Sequence, residues 1–387
     1  MKQYRILDTT MRDGEQSPGI VFGKDEKTRI LQMLVAAGVD EAEIGTPVMG
    51  TEEMDIISHL VNLQLPIRLF SWNRALKKDI DQSIQCGISN LFISSPVSDI
   101  QIKNKIGKDR DWVLKNLKES VVYARGKGCY VACGLEDSTR ADIDWLIFLI
   151  NELKLAGAER VRISDTVGIC TPDVVYNLIK RIKKATDIAI EIHTHNDFGM
   201  ATANALSALN AGAEIVDTTL LGIGERAGNA SLEEIATALH VIYKAGSNIK
   251  HETLRQIATE FSEMISRPIS PWKPVVGENV FTHESGIHVD GIIKNPMNYE
   301  PYSPELVGAT RKFVIGKHSG RKAIEFKFEE LGIRLSESEL ENISVEIKNT
   351  ALFLKRSLSD SDLMEIYNFI KNPSFQQPEN MTHTAIF

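Results

Sequence analysis

Residues 156–197 read AGAERVRISDTVGICTPDVVYNLIKRIKKATDIAIEIHTHND. Arg160–Ser164 is a short apolar run that reads as a strand. Pro172–Ala185 carries Val175, Ile179 and Ile182 at spacings of four and three, the period of a helix with one buried face. Ile188–His193 reads as a second strand, and Ala156-Gly157 supplies the left-handed glycine that closes a preceding helix. The unit is strand, helix, strand, and two strands joined by a helix run parallel.

The same unit repeats outward in both directions. Further strands are expected at Tyr4–Asp8, Glu41–Ile44, Ile67–Ser71, Asn90–Ile93, Tyr130–Gly134 and Ile215–Thr218. Helices are expected at Lys24–Ala37, Trp112–Lys127, Arg140–Ala156 and Met200–Ala211, and Ala37-Gly38, Cys86-Gly87 and Ala211-Gly212 repeat the closing turn. Eight such units close a parallel barrel, so the fold class is α/β, a TIM (β/α)8 barrel. An open doubly wound sheet would place a glycine-rich dinucleotide loop after its first strand. Here MRDGEQSPG follows, too charged for that role.

A barrel takes about 250 residues, and the chain has 387. The expected division is a barrel over 1–250, a loop-rich linker subdomain over 251–320 and a helical subdomain over 321–387. His251–Ile265 reads as a helix, the stretch after it as loop with few regular elements, and Gly320–Lys371 as helices. The tail NPSFQQPENMTHTAIF reads as loosely packed. A net charge of −8 leaves no basic surplus for nucleic acid. No apolar run is long enough to span a membrane. The four cysteines form no CxxC pair and read as reduced thiols, consistent with a cytoplasmic protein.

Four clusters can carry chemistry. In IEIHTHNDFG, residues two apart share a strand face. Ile188, Ile190 and Ile192 therefore face covering helices, while Glu191, His193 and His195 face the barrel mouth. Paired imidazoles at a strand end suit a divalent metal, although two satisfied histidines would read the same way. In DTTMRDGEQSPG, Asp13 adds a hard oxygen ligand and Arg12 a fixed positive charge for an oxyanion or carboxylate; a solvated charged loop is the plainer alternative. In GIGERAGNASLEE, Asn229 offers a weaker oxygen ligand, Glu225 and Arg226 can order the loop, and Ser231 with Glu234 reads as a capping box. Arg74, Glu136 and Thr166 follow strands three, five and six, where a barrel holds its site. In FTHESGIHVDG, His283, Glu284 and His288 sit in an irregular stretch with Tyr299 beyond. There His288 is either a proton-transfer group or a histidine tying down backbone.

These motifs resemble one family. RDGEQ followed by ten residues and Lys27, IEIHTHNDFGMATA, GERAGNASLEE, FTHESGIHVDGIIKNPMNYEPYSPELVG and GKHSGR are similar to signatures of the isopropylmalate, homocitrate and citramalate synthases. The resemblance implies a divalent cation, magnesium or manganese first and zinc or iron after them, held by Asp13, His193 and His195 with Asn229 as a further ligand. It implies acetyl-CoA and a 2-oxo acid as substrates, with Arg12 at the forming alkoxide and Thr166 at the α-carboxylate. It also implies proton transfer by His288 with Glu136 and Tyr299, and a homodimer in which the His288 segment reaches a partner barrel.

SWNRALKKDIDQSIQCG with SPVSDIQ resembles the homocitrate synthases linked to nitrogen fixation, and Arg74 suits the distal carboxylate of 2-oxoglutarate. The chain is too short for the leucine-sensing domain usual in isopropylmalate synthases, which counts against that acceptor. One departure stands out: lysine-pathway homocitrate synthases place an arginine where this chain has Ala132. The remaining alternatives are isopropylmalate, citramalate or methanogen-type chain-extending synthases, a related acyl-CoA lyase, and a non-catalytic metal-binding barrel.

Overall fold

A computed structural model of the protein describes residues 3–372. The rest of the tail read as loosely packed, 373–387, lies outside the described residues. The chain divides into two units, Met1–Ile269 with Pro274–Val276, and Ser270–Lys273 with Gly277–Phe387.

In the first unit eight parallel strands close a barrel in chain order: β1 Arg5–Asp8, β2 Glu41–Glu43, β3 Arg68–Arg74, β4 Asn90–Pro96, β5 Tyr130–Glu136, β6 Arg160–Asp165, β7 Ala189–Thr194 and β8 Ile215–Thr218. Closure is made by β1 on β8, with Arg5 opposite Ile215 and Asp8 opposite Thr218. The TIM-barrel expectation therefore holds. The helices are α1 Lys24–Ala37, α2 Thr51–Asn62, α3 Lys77–Gln85, α4 Asp99–Asn104, α5 Arg110–Gly126, α6 Ile143–Ala156, α7 Pro172–Ala185, α8 Ala201–Ala211, α9 Leu232–Val241 and α10 Leu254–Met264. No helix among the described residues is long and apolar enough to cross a membrane. All four cysteines are free and buried.

Outward strand residues such as Ile190 and Ile192 are fully buried beneath the helices. Gly38 shows why the Ala-Gly turns were readable. It closes α1 at φ 80°, and a Cβ there would stand 2.1 Å from the carbonyl oxygen of Asn248. No side chain fits, and the left-handed angle favours glycine.

The barrel interior is layered. Leu7, Phe70, Phe92, Ala132 and Ile215 form an apolar floor. One step along the strands lies a buried ionic layer. Arg160 bridges Glu41 at 2.5 Å and Glu191 at 3.1 Å, with its guanidinium over the Phe70 and Phe92 rings. Arg162 pairs with Glu43 at 2.7 Å, with Asp217 at 2.8 Å and with Glu191. Buried charges cost heavily unless paired, and here each guanidinium meets at least two carboxylates.

The second unit packs α11 Gly286–Lys294, α12 Arg321–Glu330, α13 Glu337–Leu354 and α14 Asp360–Lys371 around Val289, Ile324, Phe328, Ile343, Ile347 and Leu363. Ser336 caps α13 and Ser359 caps α14, each in a capping box. His288, expected in irregular chain, lies on α11. Two glycines mask that helix in the sequence, but Val289 and Ile292 bury one face of it.

Candidate active site and metal centre

At the C-terminal ends of the strands the barrel opens into a cavity of about 790 Å³. Arg12, Asp13, Arg74, Glu136, Thr166, His193 and His195 all line it. The loop after β1, the strand β7 and the rims of β3, β5 and β6 thus bring together seven of the ten expected residues. An eighth, Asn229, touches this group through Asp13. His288 and Tyr299 belong to the second unit, where their rings stack with centroids 4.2 Å apart.

Asp13, His193 and His195 are buried, and one ligand atom of each lies within 4.8 Å of the others. The period of two along β7 puts both imidazoles on one face, with their Nε2 atoms 3.2 Å apart. His193 Nδ1 lies 3.1 Å from the Asp217 carboxylate. That leaves Nε2 as the nitrogen aimed at its neighbours. Asn229 Nδ2 donates to Asp13 at 2.6 Å and to the Ile223 carbonyl at 3.1 Å, while its Oδ1 is buried without a hydrogen bond.

The electrostatics agree with a cation site. Burial pushes His193 down to about 4 against the pull of Asp13. Burial and the neighbouring imidazole push His195 down to about 4 as well. Both rings are therefore neutral at pH 7, the state that ligates. Burial works to raise Asp13, but Arg12 and the two imidazoles outweigh it and hold the carboxyl below its usual range. Arg12, Arg160 and Arg162 face five carboxylates: Asp13, Glu41, Glu43, Glu191 and Asp217. Arg5 and Arg68 also reach Glu41, at 3.1 and 3.5 Å, so each carboxylate of the layer has a guanidinium within ion-pair distance. Burial pushes Glu191 up to about 8 and Asp217 up to about 6. The donor set of one carboxylate, two imidazoles and a nearby amide oxygen fits a divalent cation.

Arg12 is held from both sides. Its Nε and Nη2 donate to the two Glu43 oxygens at 3.0 and 3.2 Å, and Nη1 donates to Asp13 at 2.8 Å. Burial works to raise Glu43, but Arg12 and Arg162 keep it below its ordinary value. Thr166 Oγ1 accepts the Asp137 backbone N–H at 2.8 Å, and its carbonyl accepts Arg226 at 2.8 Å. Arg226 also holds Asp197 at 2.7 Å, so it orders the loop as expected. Glu136 is paired with Lys105 at 2.6 Å. Arg74 is half-exposed at the rim, where Asp79 engages its Nε and Nη2 at 2.8 and 3.0 Å.

One local expectation fails. Ser231 precedes α9, but its side chain makes no capping bond. Its hydroxyl is taken by Glu233 instead, and Glu234 accepts from Thr202 at 2.6 Å. Glu43, Arg162 and Asp217 were missed by sequence reasoning. The signal was present, since strand two reads EAE and strand eight ends IVDT, but period alone does not say which strand face is interior.

The HMGL-like family profile matches residues 3–260, two thirds of the chain. This chain belongs to the HMGL-like family. Within it, residues 275–353 match a second description, homocitrate synthase post-HMGL domain-like. One relative, 2-isopropylmalate synthase 2 of Caldanaerobacter subterraneus subsp. tengcongensis, is 47% identical, and the alignment covers 95% of each chain. Homocitrate synthase 1 of Nostoc sp. is 43% identical over 95% of this chain and 97% of its own. Among solved structures, a Bacillus subtilis HMG-CoA lyase superposes with a TM-score of 0.63 at 20% identity. It covers 70% of this chain and 96% of its own, and that likeness concerns the fold. A relative named for isopropylmalate synthesis is thus matched almost end to end. Chain length consequently does not separate the acceptors within the HMGL-like family, contrary to the sequence-based expectation.

Proposed function

We propose that this protein condenses acetyl-CoA with 2-oxoglutarate and hydrolyses the thioester, giving homocitrate and CoA. The observation that carries the reading is the buried Asp13–His193–His195 group, with Arg12 fixed beside it at the floor of an open, mixed polar and apolar cavity. A divalent cation bound there, magnesium or manganese, would polarise a keto oxygen. Arg12 is locked by Glu43 and Asp13, so it presents charge to the forming alkoxide without reorganising. Thr166 binds the α-carboxylate with its hydroxyl hydrogen, since its oxygen already accepts from Asp137. Asn229 supports Asp13 and supplies a further oxygen.

His288 and Tyr299, with Glu136, handle protons. The acetyl methyl loses a proton, its carbon bonds to the keto carbon, and the alkoxide takes a proton. Water then adds to the thioester and the CoA thiol leaves. Arg74 keeps Nη1 beyond its Asp79 pair and meets the distal carboxylate at the rim. The protein works as a cytoplasmic homodimer in which the His288 segment serves a partner barrel.

Release of thiol from acetyl-CoA, compared across 2-oxoglutarate, 2-oxoisovalerate, pyruvate and oxaloacetate, tests this reading. Preference for 2-oxoglutarate is expected. Silence with every acceptor would overturn the synthase reading. A second acceptor, 2-oxoisovalerate, is favoured by two observations. Asp79 already holds the Arg74 fork, and Ala132 sits fully buried among Phe70 and Phe92 where a carboxylate-binding arginine would otherwise stand.

A further inference from the structure

Gly291 stands in the middle of α11, a nine-residue helix that also begins with a glycine. A glycine inside a helix is disfavoured relative to alanine. The surroundings supply a reason for it. A Cβ at Gly291 would stand 2.4 Å from Cε2 and 2.9 Å from Cδ2 of Tyr299. His288 lies three residues earlier, on the same helix face. Its imidazole stacks on that same tyrosine ring, with the planes 31° apart.

The chain that returns Tyr299 to the helix is anchored on Gly291 as well. The Asn295 backbone N–H and the Asn298 side-chain amide both donate to the Gly291 carbonyl at 2.9 Å. The Tyr299 N–H then donates to Pro296 at 3.1 Å. One residue therefore fastens the turn with its carbonyl and seats the ring with its bare Cα. Core packing does not hold the stack, because Tyr299 is 42% exposed and His288 is exposed too. A ring pushed off the helix has open space to enter.

We propose that Gly291 is a positioning residue that seats the Tyr299 phenol against the His288 imidazole. The catalytic consequence rests on the synthase reading above; the seating of the ring does not. A methyl group at 291 displaces the ring and separates the two groups that move protons, although it improves the helix itself.

The test is Gly291→Ala in the full chain, read three ways. The His288 Cε1–H resonance, assigned through its loss in His288→Asn, is expected to move toward that of a free imidazole as the ring current disappears. The Tm is expected to hold or rise. The kcat of thiol release is expected to fall on the order of 10-fold, with the acceptor KM little changed. In a Tyr299→Ala background the same substitution is expected to alter neither resonance nor kcat. An unmoved His288 resonance overturns the proposal. So does an equal kcat loss in the Tyr299→Ala background. Should Gly291→Ala lower the Tm, Tyr299→Ala must restore it, and failure to do so also overturns the proposal. If no acceptor supports thiol release in the wild type while the resonance moves as expected, the seating role stands and the synthase reading falls.

Discussion

His193 places Nδ1 3.1 Å from the carboxylate of Asp217, and Asp217 lies 2.8 Å from Arg162. A carboxylate behind a ligating imidazole fixes its tautomer and orientation. Asp217→Asn keeps the shape and removes the charge. It is expected to weaken binding of manganese roughly 10- to 100-fold, measured by titration calorimetry on metal-free protein. An unchanged affinity would make Asp217 a partner of Arg162 alone.

Arg12 makes three charge-assisted hydrogen bonds, two to Glu43 and one to Asp13. Lysine keeps the charge but cannot span both carboxylates. Arg12→Lys is expected to lower kcat on the order of 100-fold, the loss seen when one preorganised donor is removed. Manganese affinity should change little, because Asp13 remains. A kcat within a few-fold of wild type would remove Arg12 from the alkoxide.

Asp8 gives a stability effect away from the proposed metal centre. It is fully buried, Oδ1 accepts the Thr10 N–H at 2.9 Å, and Oδ2 has no hydrogen bond. Burial pushes its carboxyl up to about 7, against the hydrogen bonds from Thr10. The folded state thus holds this proton more tightly than the unfolded chain, whose value is 3.8. Its contribution is fully present below about pH 4 and is lost as pH rises to about 7. Asp8→Asn removes the dependence. Relative to wild type, the variant should gain on the order of 4 kcal/mol between about pH 4 and pH 8. Urea unfolding at the two pH values measures this, and parallel curves would place the proton elsewhere.

The barrel was legible because its strands are buried on both faces and its helices on one, so the alternation of patterns survives in the chain. Lys24–Ala37, Pro172–Ala185 and Ile215–Thr218 coincide with α1, α7 and β8. His193 and His195 were legible through the period of two. The ionic layer was not, because RVRIS and EAE carry charges whose direction depends on barrel closure. Nor was α11, since Gly286 and Gly291 remove helix signal from a segment that burial of Val289 and Ile292 makes helical. The Ser231 cap was misread because Glu233, two residues on, takes the hydroxyl before a backbone N–H can.

Lys27 follows the RDGEQ run after ten intervening residues and is fully buried. Its ammonium stands 2.9 Å from Glu15 and 2.8 Å from Glu53, tying the loop after β1 to the start of α2. Glu15 also accepts the Phe22 N–H at 3.0 Å, and Glu53 accepts the Thr46 N–H at 3.3 Å. Removing the lysine leaves two carboxylates facing one cavity without their cation. Lys27→Met is expected to lower the unfolding free energy by on the order of 3 kcal/mol. Adding Glu53→Gln should return part of that loss, because it removes one of the stranded charges. A double variant no more stable than Lys27→Met would show that the loss does not come from the stranded Glu53 charge. Recovery would locate its contribution in the charge that joins the two loops.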